Sequence, residues 1–241
     1  MKTIYKHILQ DATSGKKILA VLIDPDKIAI KHIPSFMGKV NKSVANYVFV
    51  GGSDVAEQQT EIVVQTIKKH TRLPIVLFPG DITQITNQAD ALLFLSLISG
   101  RNPDYLIGKH VEAVSKLKDS NLEIISTGYI LIENGKQTAV QRVTETVPLQ
   151  NNNIQLIADT AKAGELLGMK LIYLEAGSGA LQPVSKEIIK KVKTNISIPL
   201  IVGGGIRNLK QLKQAYQAGA DLVVIGTAFE NDESFFDELQ D

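Results

Sequence analysis

The chain reads as an α/β protein, a (β/α)8 TIM barrel, and three observations predict it. Short apolar runs recur from end to end, at 18–23, 47–50, 75–78, 91–97, 123–127, 171–175, 200–202 and 222–225. Several are continuously hydrophobic rather than alternating, as parallel strands covered on both faces are. Stretches with helical spacing of apolar residues stand between them, at 55–70, 105–118, 153–167, 186–192 and 208–218. Eight strands alternating with helices imply right-handed crossovers and a closed sheet. With 241 residues and 44% hydrophobic content the chain can bury one large core. No linker or low-complexity stretch divides it, so a single domain over 1–241 is expected.

The bulk properties remove several classes. Net charge is +1 with both signs scattered, and no basic block or aromatic-rich basic stretch points to nucleic acid. The absence of cysteine excludes disulfides and thiolate chemistry. The opening MKTIYKHILQDATSGKK lacks the apolar segment of a secretory signal. No apolar run approaches the ~20 residues of a membrane span. A cytoplasmic protein is the expectation.

Strand one ends in Ile23-Asp24-Pro25-Asp26-Lys27. Pro25 biases Asp24 toward an extended backbone, so its carboxylate can project into the barrel mouth. A carboxylate there suits Mg²⁺ shared with phosphate oxygens. Capping of backbone donors is the alternative for Asp24 and the favoured role of Asp26. Strand two ends in Gly51-Gly52-Ser53-Asp54. Ser53 could add a weak oxygen ligand to the same cation, and Asp54 reads as the cap of the next helix. Asp81, after strand three, reads as another cap. Strand four runs into Ser99-Gly100-Arg101-Asn102-Pro103. Arg101 could reach a diphosphate and Asn102 could bond substrate, or Asn102-Pro103 could simply start a helix.

After strand five, 129–143 reads as a β-hairpin over the mouth, because Asn134-Gly135 is a strong turn signal between alternating runs. Asn151 to Asn153 then supply a helix cap. Strand six ends in Tyr173-Leu174-Glu175-Ala176-Gly177-Ser178-Gly179. A carboxylate beside buried Leu and Tyr must be paired or must work in the site, and for Glu175 a substrate or base role is favoured over a structural ion pair. Strands seven and eight end in Gly203-Gly204-Gly205-Ile206-Arg207 and Gly226-Thr227. Without a Cβ, backbone N–H groups at such turns can close on an anion, and the following helix adds its positive end. Paired turns on the last two strands are how a barrel holds phosphate. A phosphorylated small molecule is the expected ligand. His7, His32, His70 and His110 form no triad or metal pair, so histidine catalysis is not expected.

Asp24-Pro-Asp-Lys, Gly51-Gly-Ser, Ser99-Gly-Arg-Asn-Pro, Thr127-Gly-Tyr, Tyr173-Leu-Glu-Ala-Gly-Ser-Gly, Val202-Gly-Gly-Gly-Ile-Arg and Ile225-Gly-Thr stand in one order along nearly the whole chain. In this the chain resembles the geranylgeranylglyceryl phosphate synthase family and its heptaprenylglyceryl phosphate synthase relatives. The motif at 173–179 is specific; the two glycine turns are common to many phosphate-binding barrels.

The resemblance implies a Mg²⁺-dependent prenyl transfer. The C3 hydroxyl of sn-glycerol 1-phosphate attacks C1 of a prenyl diphosphate, with geranylgeranyl diphosphate the expected donor, forming an ether and releasing diphosphate. Carried over by motif, Asp24 and Ser53 hold the metal. Tyr173, Leu174, Glu175, Ala176, Gly177, Ser178 and Gly179, with Gly204, Gly205, Gly226 and Thr227, bind glycerol 1-phosphate. Some members carry a lysine two positions before the metal aspartate; Leu22 stands there here, which suggests the other subgroup. Glu175 is the candidate general base, or else orients the acceptor hydroxyls. A prenyl tail needs an apolar groove, and Tyr105 is a candidate for its floor. A homo-oligomer is implied as well. A sugar-phosphate isomerase, which needs no metal, and a non-catalytic phosphate sensor stay open beside this reading.

Overall fold

Runs such as ILAVLI and YVFV are rich in β-branched and aromatic side chains, which fit a pleated surface covered on both sides. The computed structural model describes residues 3–53 and 55–239. Along the chain come α1 (Ile4–Thr13), β1 (Ile18–Ile23), α2 (Ile33–Val40), β2 (Tyr47–Val50), α3 (Gln59–Lys68), β3 (Ile75–Leu77), β4 (Ala91–Leu97), α4 (Lys109–Leu117) and β5 (Glu123–Leu131). Then follow α5 (Ala139–Thr144), α6 (Ile154–Leu166), β6 (Leu171–Glu175), α7 (Lys186–Asn195), β7 (Leu200–Gly203), α8 (Leu209–Ala218), β8 (Leu222–Ile225) and α9 (Thr227–Asn231). The strands pair in sequence order, all parallel, and β8 returns to β1. The expected barrel is therefore closed, which leaves no sheet edge exposed to pairing.

Side chains alternate across the sheet and create two apolar layers. Leu171 and Tyr173 point inward with Ile18, Phe49, Leu93 and Ile201. Ile172 and Leu174 point outward into the layer shared with Ile188, Val192 and Leu212 of the helices. Each such fully buried side chain contributes roughly 1.5–3 kcal/mol. The same alternation turns Glu175 inward at the end of β6, level with Leu131 on one side and Gly203 on the other.

Polar caps set several helix starts where the sequence places them. Asn153, Ser185 and Asn208 accept from the N–H groups of Leu156, Ile188 and Gln211. Asp81 caps the short turn Ile82–Gln84. Asp26 does something else: its carboxylate accepts the Ala56 N–H and so ties the loop after β1 to the loop after β2. The helix expected over 55–70 begins only at Gln59, after Gln58 in a left-handed conformation. The cap expected at Asp54 lies outside the described residues.

Two connections depart from the expected pattern and shape the mouth. The hairpin over 129–143 is not formed. β5 continues to Leu131, Ile132 makes an isolated parallel bridge to Leu149, and 139–144 is helical. Asn134-Gly135 does turn, with Gly135 at φ +82°, but the Asn134 amide donates to the Ala176 carbonyl and no strand returns. Thr138 and Gln141 then satisfy each other's backbone N–H in a reciprocal capping box, which starts α5. Between β3 and β4, the connection through Pro79 and Gly80 carries just the turn Ile82–Gln84 in place of a full helix. That thins the outer layer beside β4.

Candidate active site

A cavity of about 460 Å³ opens at the carboxyl ends of the strands. Its floor is aromatic: Phe78 stacks on Tyr173 at 5.1 Å and Tyr129 leans on the same ring at 5.4 Å. One wall is polar and carries Asp24, Ser53, Glu175, Ser178, Gly179, Gly204, Gly205, Gly226 and Thr227. The other is apolar and runs along Leu93, Leu95 and Leu97 of β4 and Val140 and Val143 of α5. It extends through the thin place in the outer layer, past Ile85, Leu92, Phe94 and Ala113. His110 lies edge-on to Phe94 at 4.4 Å, and burial lowers its pKa, which favours the neutral ring in this arm. Tyr105 lies along the same wall, and its hydroxyl donates to the Val143 carbonyl.

Asp24 projects from the end of β1 as its Pro25 neighbour requires. One carboxylate oxygen accepts the Asp26 N–H at 3.2 Å and the other meets the Lys27 ammonium at 3.2 Å. A Cβ on Gly52 would come within 2.8 Å of Asp24 Oδ1, so the glycine turn holding Ser53 rests directly against this carboxylate. Among the described residues no group of three or more His, Cys, Asp or Glu side chains could cage a metal. The donors that the strand ends bring together are the Asp24 carboxylate, which Lys27 and the Asp26 N–H now engage, and the Ser53 hydroxyl on the cavity wall. That set suits Mg²⁺, which keeps waters and takes further oxygens from a bound phosphate, and does not suit an ion needing an all-protein cage.

Glu175 is 6% exposed. One oxygen accepts the Gly177 N–H at 2.6 Å. Burial pushes its pKa from the usual carboxylate range up to about 7, against the opposing pull of the Gly177 N–H and the nearby Tyr173 hydroxyl. That hydroxyl is itself buried and makes no full hydrogen bond. Glu175 has no cationic partner among the described residues, which removes the structural ion pair as its role. A carboxylate that titrates near neutrality in a ligand cavity is suited to proton transfer.

The glycines after β6 and β7 are used individually. Gly177, Gly179, Gly204 and Gly205 all have positive φ. A Cβ at Gly204 would strike Glu175 Oε1 and approach the Gly177 nitrogen at 2.7 Å, so this glycine makes room for the carboxylate as well as for a ligand. Ser178 and Thr227 bring their hydroxyls to 3.3 Å from each other across the turn.

Several expected residues lie elsewhere. Leu174 and Ala176 face the helix layer. The Gly177 N–H is already given to Glu175. Arg101 and Asn102 do not line the cavity. The Arg101 guanidinium donates to the Gly100 carbonyl at 2.6 Å, and Asn102 donates to the Thr144 carbonyl and accepts from the Asp104 N–H. Arg101 thus closes on its own loop, while Asn102 fastens the loop after β4 to α5 and starts a helical turn with Pro103. The cavity wall recruits other cations, Lys27, Lys109, Lys136 and Arg207. Lys27 and Arg207 each follow a motif already read as a ligand turn, so position could have flagged them. Lys109 and Lys136 carry no such signal.

The PcrB family matches residues 12–241 of this chain. A geranylgeranylglyceryl phosphate synthase of Flavobacterium johnsoniae is 56% identical over 237 residues, covering 98% of each chain. One from Pyrococcus abyssi is 40% identical over 233 residues, covering 95% of this chain and 90% of its own. The crystal structure of (S)-3-O-geranylgeranylglyceryl phosphate synthase from Thermoplasma acidophilum in complex with sn-glycerol-1-phosphate superposes with a TM-score of 0.92 at 30% identity, covering 99% of this chain and 96% of that one.

Proposed function

The chain belongs to the PcrB family and is a prenyltransferase, and on that premise we propose that it joins a prenyl diphosphate to the C3 hydroxyl of sn-glycerol 1-phosphate. The observation that carries this reading is the two-sided cavity. Glycine turns, Asp24 and Glu175 share one wall, and an apolar arm leads away from them between β4 and α4. A sugar-phosphate isomerase would need the first wall and has no use for the second. The arm suits a long isoprenoid, and geranylgeranyl diphosphate is the donor we infer.

Asp24 and Ser53 would hold Mg²⁺, and the bound ion would neutralise charge on the departing diphosphate. Gly204, Gly205, Gly226, Ser178 and Thr227 bind the acceptor's phosphate through N–H and O–H donors. Glu175 then accepts the proton of the C3 hydroxyl as its oxygen bonds to C1 of the donor. The aromatic floor and β4 leucines exclude water from that centre. Exposed Ile107, Val111 and Val114 follow one side of the helical segment through α4 and support a homo-oligomer. Among the described residues no helix is long and apolar enough to cross a membrane. A cytoplasmic location is part of the proposal.

Asp24→Asn tests the metal assignment. Mg²⁺-dependent diphosphate release should fall at least ~100-fold while the melting temperature is retained, because the carboxylate is a ligand rather than a core group. Full activity with an unchanged Mg²⁺ requirement would remove Asp24 from the metal.

A further inference from the structure

Resting on that acceptor reading, we propose that Lys136 grips the phosphate of glycerol 1-phosphate from above, closing a site that the glycine turns build from below. Lys136 stands in the segment between β5 and α5, where a hairpin was expected. This segment is bolted to the glycine motif after β6. The Ile132 N–H donates to the Glu175 carbonyl at 2.9 Å. The Asn134 amide donates to the Ala176 carbonyl. A Cβ on Gly177 would run into the Thr138 side chain. The two loops therefore hold a fixed relation to each other, and Lys136 extends from their junction into the cavity wall.

Its ammonium ends close to the turn. A Cβ on Gly179 would lie 3.8 Å from Lys136 Nζ, leaving space there for a ligand oxygen. Two other cations of the wall are held in ion pairs, and a third is turned to a backbone carbonyl. Lys27 pairs with Asp24 and Glu230, Lys109 pairs with Asp81 and Glu112, and the Arg207 guanidinium donates to the Ala180 carbonyl. Lys136 has no carboxylate within ion-pair distance among the described residues. The hydroxyls of Ser178 and Thr227 line the same cavity. An unpaired ammonium in a cavity that also carries hydroxyl and N–H donors calls for an anion with several acceptor oxygens, and a phosphate dianion supplies them. The flexible four-carbon stem, exposed to solvent, also lets the grip open for release.

The test is calorimetric titration of the full-length protein with sn-glycerol 1-phosphate, without donor, for the wild type, Lys136→Ala and Lys136→Arg. Steady-state kinetics are measured on the same preparations. A hydrogen bond to a charged partner contributes enough that Lys136→Ala should weaken acceptor binding roughly 10- to 100-fold. The loss should fall on acceptor KM rather than on kcat or donor KM. Lys136→Arg should recover most of it. Wild-type affinity in Lys136→Ala overturns the proposal, as does a loss that falls on the donor. A wild type that binds no glycerol 1-phosphate overturns both this proposal and the acceptor reading beneath it, which sets that failure apart.

Discussion

Glu175 is ionisable at a largely buried place, and that decides how it can be used. In an unfolded chain its pKa is near 4.5; burial in the barrel raises it to about 7. A base must be ionised to accept a proton, so turnover should decline as pH falls through about 7 and level off above it. Glu175→Gln should abolish that limb of the pH–rate profile and lower kcat at least ~100-fold, within the usual range for a general base. If Glu175→Gln leaves kcat intact and weakens glycerol 1-phosphate binding, the residue orients the acceptor and the proton leaves by another route. Gly204 gives a second test at this scale. A glycine that only cradled phosphate would, on substitution, raise acceptor KM alone. Here a Cβ would also displace the Glu175 carboxylate, and the φ of +83° strains any other residue. Gly204→Ala should therefore lower kcat as well as raise acceptor KM, and a change confined to KM would show that Glu175 is undisturbed. The inward-facing carboxylate was legible in the sequence, because strand alternation and the adjacent glycines point to it. The occupation of Asn102 by a backbone carbonyl was not, because that partner lies 42 residues away along the chain, and Arg101 is turned back onto its neighbour Gly100 by a side-chain conformation that residue type alone does not set.

The elements that make the donor side are those least visible in the sequence. Eight apolar runs announce eight strands, but the thin connection between β3 and β4 looks like any other loop. Its consequence appears once α4 is seen covering β4 with Ala113 and His110 turned into the gap. In the same way, Asn134-Gly135 is a true turn whose expected return strand is replaced by α5, because the capping box of Thr138 and Gln141 depends on side chains rather than on hydrophobic period. Val140 and Val143, one helical turn apart, thereby reach the cavity. If the arm holds the prenyl tail, filling it should shorten the accepted chain. Ala113→Phe should move the kcat/KM ratio toward a C15 over a C20 donor by about tenfold or more, since even one methylene of misfit in an apolar pocket is worth that much. Unchanged donor preference in a variant that melts normally would place the tail elsewhere.

At the scale of the whole molecule, closure of the barrel brings β1 beside β8 and so sets Asp24 at one mouth with the turns after β6, β7 and β8. Residues more than two hundred positions apart share a cavity because the sheet has no edge. That closure followed from the number and kind of apolar runs, which is why residues at the ends of β1, β6, β7 and β8 could be expected to meet at one mouth. The reaction assigned to this cavity is acceptor-dependent prenyl transfer. It is tested most directly by incubating the wild-type protein with Mg²⁺, sn-glycerol 1-phosphate and an equimolar mixture of C15, C20 and C35 prenyl diphosphates, then measuring released diphosphate and product masses. Diphosphate release should require both Mg²⁺ and glycerol 1-phosphate, with the geranylgeranyl ether of glycerol 1-phosphate as the main product. Diphosphate release independent of glycerol 1-phosphate, or no ether product from any donor, would contradict it.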